Sequence, residues 1–85
     1  MAVEINQRYR FRIPETDSFV ACEVSAVVRT IYPAGGPGGP MVAECIIETV
    51  HAIENQQSGP RYKQAHYVGQ PWGVYVSELE QMTAL

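Results

Sequence analysis

Two long apolar runs, separated by a loop of glycine and proline, dominate the pattern of this chain. The first run, FVACEVSAVVRTIY, spans Phe19 to Tyr32, and the second, MVAECIIETVHAIE, spans Met41 to Glu54. Residues 33–40 between them read PAGGPGGP. We expect this segment to be a flexible hairpin tip, because glycine allows positive φ and no large apolar side chain holds it in place.

The first run alternates as a strand does. Its even positions are all apolar from Val20 to Val28, whereas the odd positions between them include Glu23 and Ser25. A period of two places one set on the core face of a sheet. A strand of about 14 residues is long against the usual 5–6. We therefore expect it to bend at a bulge.

The second run fits two interpretations. Its apolar positions match a helical face, which would give an α+β protein with residues 41–54 helical. Six of its fourteen residues are β-branched, however, and these favour a pleated strand. Pairing residues whose numbers sum to 73 also places Arg29 opposite Glu44 and Val28 opposite Cys45. The strand is the preferred interpretation, and this register would set Cys22 opposite His51.

Shorter elements flank this central hairpin. Gln7–Ile13 alternates arginines with Tyr9, Phe11 and Ile13, which predicts a half-buried strand. Arg61–Val68 predicts a fourth strand and Val74–Val76 a short fifth one. Ser77 followed by Glu80 matches a capping box for a terminal helical turn. The prediction is one all-β domain over residues 1–85, with five antiparallel strands.

This strand order, the long hairpin and the ending VYVSELEQM resemble the SH3-like small β-barrel. The resemblance implies a fold and little about function. The type II dihydrofolate reductases use such a barrel as tetramers around a shared pore. Their Val-Gln-Ile-Tyr signature is missing here, and the nearest stretch is Gly73-Val74-Tyr75-Val76. The resemblance therefore implies no reductase activity.

Composition narrows the classes of function. The net charge of −3 and pI near 5.2 argue against a surface that meets nucleic acid on all sides. No apolar run reaches the ~18–20 residues of a membrane helix, so we expect a cytoplasmic protein that does not bind membranes. Cys22 and Cys45 lie in apolar runs, which predicts buried thiols. His51 and His66 are too far from them in sequence to predict a metal site, and we expect no cofactor.

Three groups of residues are candidate binding surfaces, and none predicts a catalytic residue. A basic face that would bind phosphates consists of Arg8, Arg10, Arg12, Arg61 and Lys63. An aromatic cluster typical of ligand or partner binding consists of His66, Tyr67, Trp72 and Tyr75. An apolar set on the second face of the hairpin, which predicts an oligomer interface, consists of Val42, Ile46 and Val50.

These surfaces favour a small non-enzymatic interaction module that acts through its aromatic surface or as a homo-oligomer, a dimer or higher. A protein or peptide partner fits the aromatic cluster. The first alternative is a nucleic-acid-binding protein that uses the Arg8, Arg10 and Arg12 face. The second is a small oligomeric enzyme with a site shared between subunits.

Overall fold

The computed structural model describes residues 3–53 and 63–85. Within them, four antiparallel strands form one open sheet in the order β1-β2-β3-β4. The strands are β1 (Arg8–Ile13), β2 (Cys22–Pro33), β3 (Met41–Ile53) and β4 (Pro71–Tyr75), and the one-turn helix α1 (Val76–Leu79) follows. The all-β prediction is confirmed at this level, and the helical alternative for residues 41–54 is wrong. The described residues contain no helix long and apolar enough to cross a membrane.

The strand predicted at Arg61–Val68 is absent from its described part, residues 63–68. Only Gln64 pairs there, in a parallel bridge with Phe19. Tyr67 and Val68 are both exposed, so the segment has no alternating buried face. A turn with a hydrogen bond from Gln70 N–H to Tyr67 O at 3.1 Å follows at once, and Gly69 supplies its positive φ of 91°.

Three β-bulges interrupt the pairing of β2 with β3. The predicted sum of 73 holds for Ala26, Val27 and Val28, which pair with Ile47, Ile46 and Cys45. Register shifts follow between Glu23 and Val24, between Ser25 and Ala26, and between Val28 and Thr30. The residues left without a partner opposite them are Arg29 in β2 and Glu48 and His51 in β3. The bend predicted for the long strand is therefore present.

These bulges overturn two predicted pairs. Glu44 pairs with Thr30 because Arg29 is the extra residue of its strand. Cys22 pairs with Ile53 because Glu48 and His51 each add one residue to β3. The predicted pairs Arg29–Glu44 and Cys22–His51 assumed a regular ladder and are wrong.

The core lies on one face of the sheet. In a regular strand, two residues three positions apart point to opposite faces. A bulge between them adds one residue, so apolar side chains spaced by three across a bulge point to the same face. The core cluster joins this face to Leu79 of α1, which is fully buried. Its buried members from the sheet are Tyr9, Phe11, Ile13, Cys22, Val24, Ala26, Val28, Ala43, Cys45, Ile47 and Val74.

Helix α1 begins one residue earlier than the capping box predicts. Its N-cap is Tyr75, and no side chain caps the first turn. Ser77 is therefore inside the helix, and the predicted capping role for it is wrong. The helix is held by burial of Leu79 against the core, which a one-turn helix needs because its few backbone bonds stabilise it poorly.

The hairpin tip contains a defined turn. Gly39 N–H donates to Gly36 O at 3.1 Å, across Pro37 and Gly38. Proline at the second position and a glycine with φ of 84° at the third are what a type II turn requires. Ala34 N–H also donates to Pro40 O at 2.8 Å, which closes the loop below that turn. The flexibility of residues 33–40 stays a prediction.

Two adjacent isoleucines of β3 test this assignment of faces. Ile47 is fully buried on the core face, whereas Ile46 is half-buried on the other. We expect Ile47→Ala to lower the free energy of unfolding by ~2–5 kcal/mol, because it leaves a core cavity. We expect Ile46→Ala to cost ~1 kcal/mol or less at low protein concentration. Urea unfolding measures both, and equal losses would contradict the assigned register.

Candidate functional site

One half of the face opposite the core carries two apolar rows, with the row of Thr30, Glu44 and Gly73 between them. Register places Tyr32, Val42 and Tyr75 in one row, and Val27, Ile46 and Pro71 in another. We call these six residues the outer patch. Tyr32 and Tyr75 are 44% and 48% exposed, whereas Val27 is buried by its neighbours. A sheet with a core on one face normally has a polar second face, so the outer patch is an unusual surface.

The other half of this outer face is polar and internally paired. Arg8 Nε and Nη2 donate to the two carboxylate oxygens of Glu48 at 2.8 and 3.3 Å. Arg10 forms an ion pair with Glu23. Glu48 is the extra residue of a bulge in β3. This bulge therefore supplies the ion-pair partner of Arg8, which lies two strands away on β1.

The predicted basic face is therefore largely neutralised where the structure describes it. Arg8, Arg10 and Arg12 do point to the same face, since they alternate with the buried Tyr9, Phe11 and Ile13. Lys63 lies apart from them and contacts Glu15, with Nζ to Oε2 at 2.8 Å. Arg61 lies outside the described residues. Neutralising carboxylates reduce the attraction of Arg8 and Arg10 for phosphate.

Ser25 and His51 form a hydrogen bond that the sequence did not predict. Ser25 Oγ lies 2.6 Å from His51 Nε2 across the outer face. The contact depends on the bulge at His51, so it is not predicted by a regular pairing register. A serine beside a histidine is the first element of a nucleophilic pair, but His51 is exposed and no other described group orients its ring. The arrangement is that of a cross-strand surface contact.

The predicted aromatic cluster divides into a buried part and an exposed part. His66 is 2% exposed and stacks on Phe19, with ring centroids 4.3 Å apart and planes 12° from parallel. The ring centroids of His66 and Trp72 are 4.9 Å apart and the ring planes are 77° apart, which is an edge-to-face contact. These contacts fix the segment before β4 to the start of the first apolar run. His66 is therefore shielded by the described residues and has a packing role.

Hydrogen bonds around Gln70 define the proton position on His66. Gln70 Oε1 accepts from Tyr67 N–H at 3.1 Å, so this atom is the amide oxygen and not the nitrogen. His66 Nδ1, also 3.1 Å from that oxygen, must then be the donor. Nε2 is left buried without a hydrogen-bond partner among the described residues. Gln70 was missed by the sequence reasoning, although it lies four residues after the histidine.

The two predicted tyrosines lie in different places. Tyr67 is 59% exposed in the turn before β4. Tyr75 belongs to the outer patch, because it pairs with Val42 on the face opposite the core. Trp72 pairs with Cys45 and lies on the core side. The structure thus joins His66 with Trp72 and separates Tyr75 from both.

The predicted interface residues are also divided. Val42 and Ile46 lie on the outer face, as members of the outer patch. Val50 pairs with Val24 and packs against the core, because the bulge at Glu48 turns it inward. An interface on the outer face therefore includes Val42 and Ile46 and excludes Val50.

Both cysteines are buried thiols, as the sequence predicts. Burial raises the pKa of the Cys45 thiol to about 11, and the nearby Glu44 carboxylate contributes a smaller part. Burial likewise raises the pKa of the Tyr9 hydroxyl, with Cys45 as the next cause. The Tyr9 hydroxyl donates to Gln7 Oε1 at 2.8 Å, which also keeps its proton in place.

These shifts predict a loss of stability at alkaline pH. An acid with a raised folded pKa stabilises the fold while it is protonated, and this stabilisation is lost as pH rises towards the folded value. For Cys45 the fall runs from pH 9 to about 11. It amounts to on the order of 2 kcal/mol. Urea unfolding across this range should show a smaller fall in Cys45→Ala than in the unchanged protein, and equal falls would contradict the assignment.

Among residues 3–53 and 63–85, no group of three or more histidine, cysteine or acidic side chains is placed to hold a metal ion. Comparison of the chain with protein-family models, with curated proteins and with solved structures gave no match. The candidate site is therefore argued from the described surface alone.

Proposed function

We propose that this protein is a small non-enzymatic interaction module that associates with a second copy of itself through the outer patch. The observation that supports this is the second apolar surface on a sheet whose first face already forms the core. Exposed apolar groups of this extent on a small protein typically mark an interface. Covering them removes the unfavourable contact with water.

The size of the outer patch favours a weak dimer. Tyr32 and Tyr75 are 44% and 48% exposed. Each then leaves roughly 100 Å² in water, since an aromatic side chain has about 200 Å². With the partly exposed neighbours, each copy offers roughly 300 Å², so two copies bury about 600 Å², which is small for a stable complex. The expected association is reversible and depends on protein concentration.

A shallow depression within the outer patch gives a partner side chain a place to insert. It measures about 250 Å³ and is lined by Val42, Gly73 and Tyr75. Gly73 forms its base because it has no side chain. A β-carbon added there would lie 3.5 Å from Val42 Cγ1, an ordinary contact, so the fold itself does not require glycine. In a two-fold dimer, Tyr32 or Tyr75 of each copy faces this depression in the other.

The proposal keeps the SH3-like barrel as the architecture of the module. Support comes from the curl of the sheet, which brings Phe11 and Ile13 of β1 and Trp72 and Val74 of β4 around one cleft. β1 and β4 are the outermost strands of the described sheet, so a barrel would close between them.

Nucleic-acid binding and a small oligomeric enzyme stay alternative predictions. The ion pairs of Arg8 and Arg10 make the first less favourable, because their carboxylates compete with phosphate. The exposure of the Ser25–His51 contact gives little support to the second.

The test is the molecular mass in solution from about 1 µM to 1 mM, a range that covers weak association. We expect the mass from light scattering to rise from the 9.4 kDa of a monomer towards twice that value. Tyr32→Lys and Val42→Lys place a charge in the outer patch and should keep the protein monomeric over this range.

Tyr67→Lys is the matched control, since Tyr67 is an exposed tyrosine outside the outer patch. This variant should dimerise like the unchanged protein. Circular dichroism establishes that all variants are folded. A monomer at every concentration, or equal loss of dimer in the Tyr67 variant, would overturn the proposal.

A further inference from the structure

A cleft separates the two edge strands of the described sheet. It has a volume of about 250 Å³, and we call it the edge cleft. Consecutive residues of both strands line it, with side chains that point towards the core and side chains that point away. This pattern shows that the strand edges form its walls. The lining residues are Phe11, Arg12, Ile13, Pro14, Trp72, Gly73, Val74, Tyr75, Glu78 and Met82.

One edge of β4 pairs with no described strand, and it presents backbone groups to this cleft. Ile47 N–H donates to Gln70 O at 3.0 Å, and Gly69 N–H donates to Ile47 O at 2.7 Å, so the backbone of Ile47 faces β4. The backbone N–H and C=O groups alternate in direction along β3, so those of Cys45 also point to β4. Those of its partner Trp72 point back to β3. The N–H and C=O of Gly73 must therefore face the other edge of β4.

The opposite edge already accepts an added strand from within the chain. Ala84 forms an antiparallel bridge with Tyr9, and Leu85 N–H donates to Arg8 O at 2.8 Å. The backbone of Arg8 therefore points away from β2, and by alternation so does that of Arg12. Ala84 and Leu85 cover only the beginning of β1, so the later part of this edge borders the cleft.

Two charged side chains line the edge cleft, Glu78 and Arg12. The Glu78 carboxylate is exposed and forms no ion pair with a described residue. Arg12 on the other wall already has an interaction partner. The protein as a whole has a net charge of −3. A bound segment with a basic side chain near Glu78 would be electrostatically favoured.

We propose that the edge cleft binds an extended peptide segment that carries basic residues. Its backbone pairs with the edge of β4 at Gly73, where the absent side chain allows close approach. Alternate apolar side chains point inward to Phe11, Trp72 and Met82, and the basic ones point towards Glu78. This is strand addition to a sheet edge, with backbone bonds for affinity and side-chain contacts for specificity. The added segment also places a fifth strand between β1 and β4.

Trp72 provides a direct measurement, since it is the single tryptophan of the chain and lines the edge cleft. The probe is a capped hexapeptide of alternating valine and lysine, titrated while tryptophan fluorescence is recorded. We expect a saturable shift of the emission towards the blue as water leaves the ring. The same peptide with glutamate in place of lysine should bind more weakly.

Two comparisons separate strand addition from simple attraction of charges. A valine–lysine peptide with methylated backbone nitrogens keeps the charge but cannot donate backbone hydrogen bonds, and it should not bind. Glu78→Gln should weaken binding of the unmodified peptide by roughly two- to fivefold, the effect of one exposed ion pair. Glu80→Gln, a matched control outside the edge cleft, should leave binding unchanged.

The proposal is overturned if no peptide gives a saturable change, if the methylated peptide binds as well, or if Glu78→Gln and Glu80→Gln behave alike. It does not require self-association through the outer patch, although Gly73 and Tyr75 border both surfaces. Tyr32→Lys, which should abolish the dimer, is expected to keep its affinity for the peptide. Glu78→Gln, which should weaken peptide binding, is expected to leave the dimer intact.

Discussion

The structure depends on the strict alternation of side chains along a strand, which permits a change of face only where a residue is added. Core residues of β3 are spaced by two from Ala43 to Ile47 and by three from Ile47 to Val50. If Glu48 were paired in a regular ladder, Val50 would face the opposite side from Ile47. Bulges therefore keep one apolar face continuous over a hairpin too long and twisted for a regular ladder.

The same bulges shape the second face of the sheet. Each excluded residue is polar, and two of them find partners across the strands, Glu48 with Arg8 and His51 with Ser25. Polar pairing is thereby concentrated in one half of the face. The other half keeps the apolar side chains of the outer patch, in rows on either side of Glu44. The same bulges thus keep the core face apolar and place polar pairs in one half of the outer face.

Sequence patterns predicted the strands of the hairpin and the inward side of β1, because these depend on local alternation. They were ambiguous for β3 because Ala43, Ile47 and Val50 follow a helical spacing of four and three. That spacing is the effect of a bulge, which local sequence does not distinguish from a helical turn. Pairs near the centre of the hairpin were predicted correctly, whereas the register is wrong beyond the bulges on both sides, towards the tip and towards the open end.

The candidate surfaces were predictable to the same limited extent. Arg8 and Arg10 point outward as their alternation indicates, but their carboxylate partners lie 40 and 13 residues away, respectively. Those contacts depend on register and were therefore hidden. His66 was chosen for its aromatic neighbours in sequence, whereas its burial depends on Phe19, 47 positions earlier. Distant packing, and not residue type, decides which of these side chains meets solvent.

The turn at Pro37 and Gly38 has a consequence for the order of folding. Pro37 restricts the backbone of the unfolded loop at the turn, so fewer conformations separate β2 from β3 before they meet. Hairpins form in about 1–10 µs, faster than contacts between distant segments. The β2–β3 hairpin is thus the natural nucleus. β1 and β4 then dock on opposite sides of it, each after a separate search of the remaining chain.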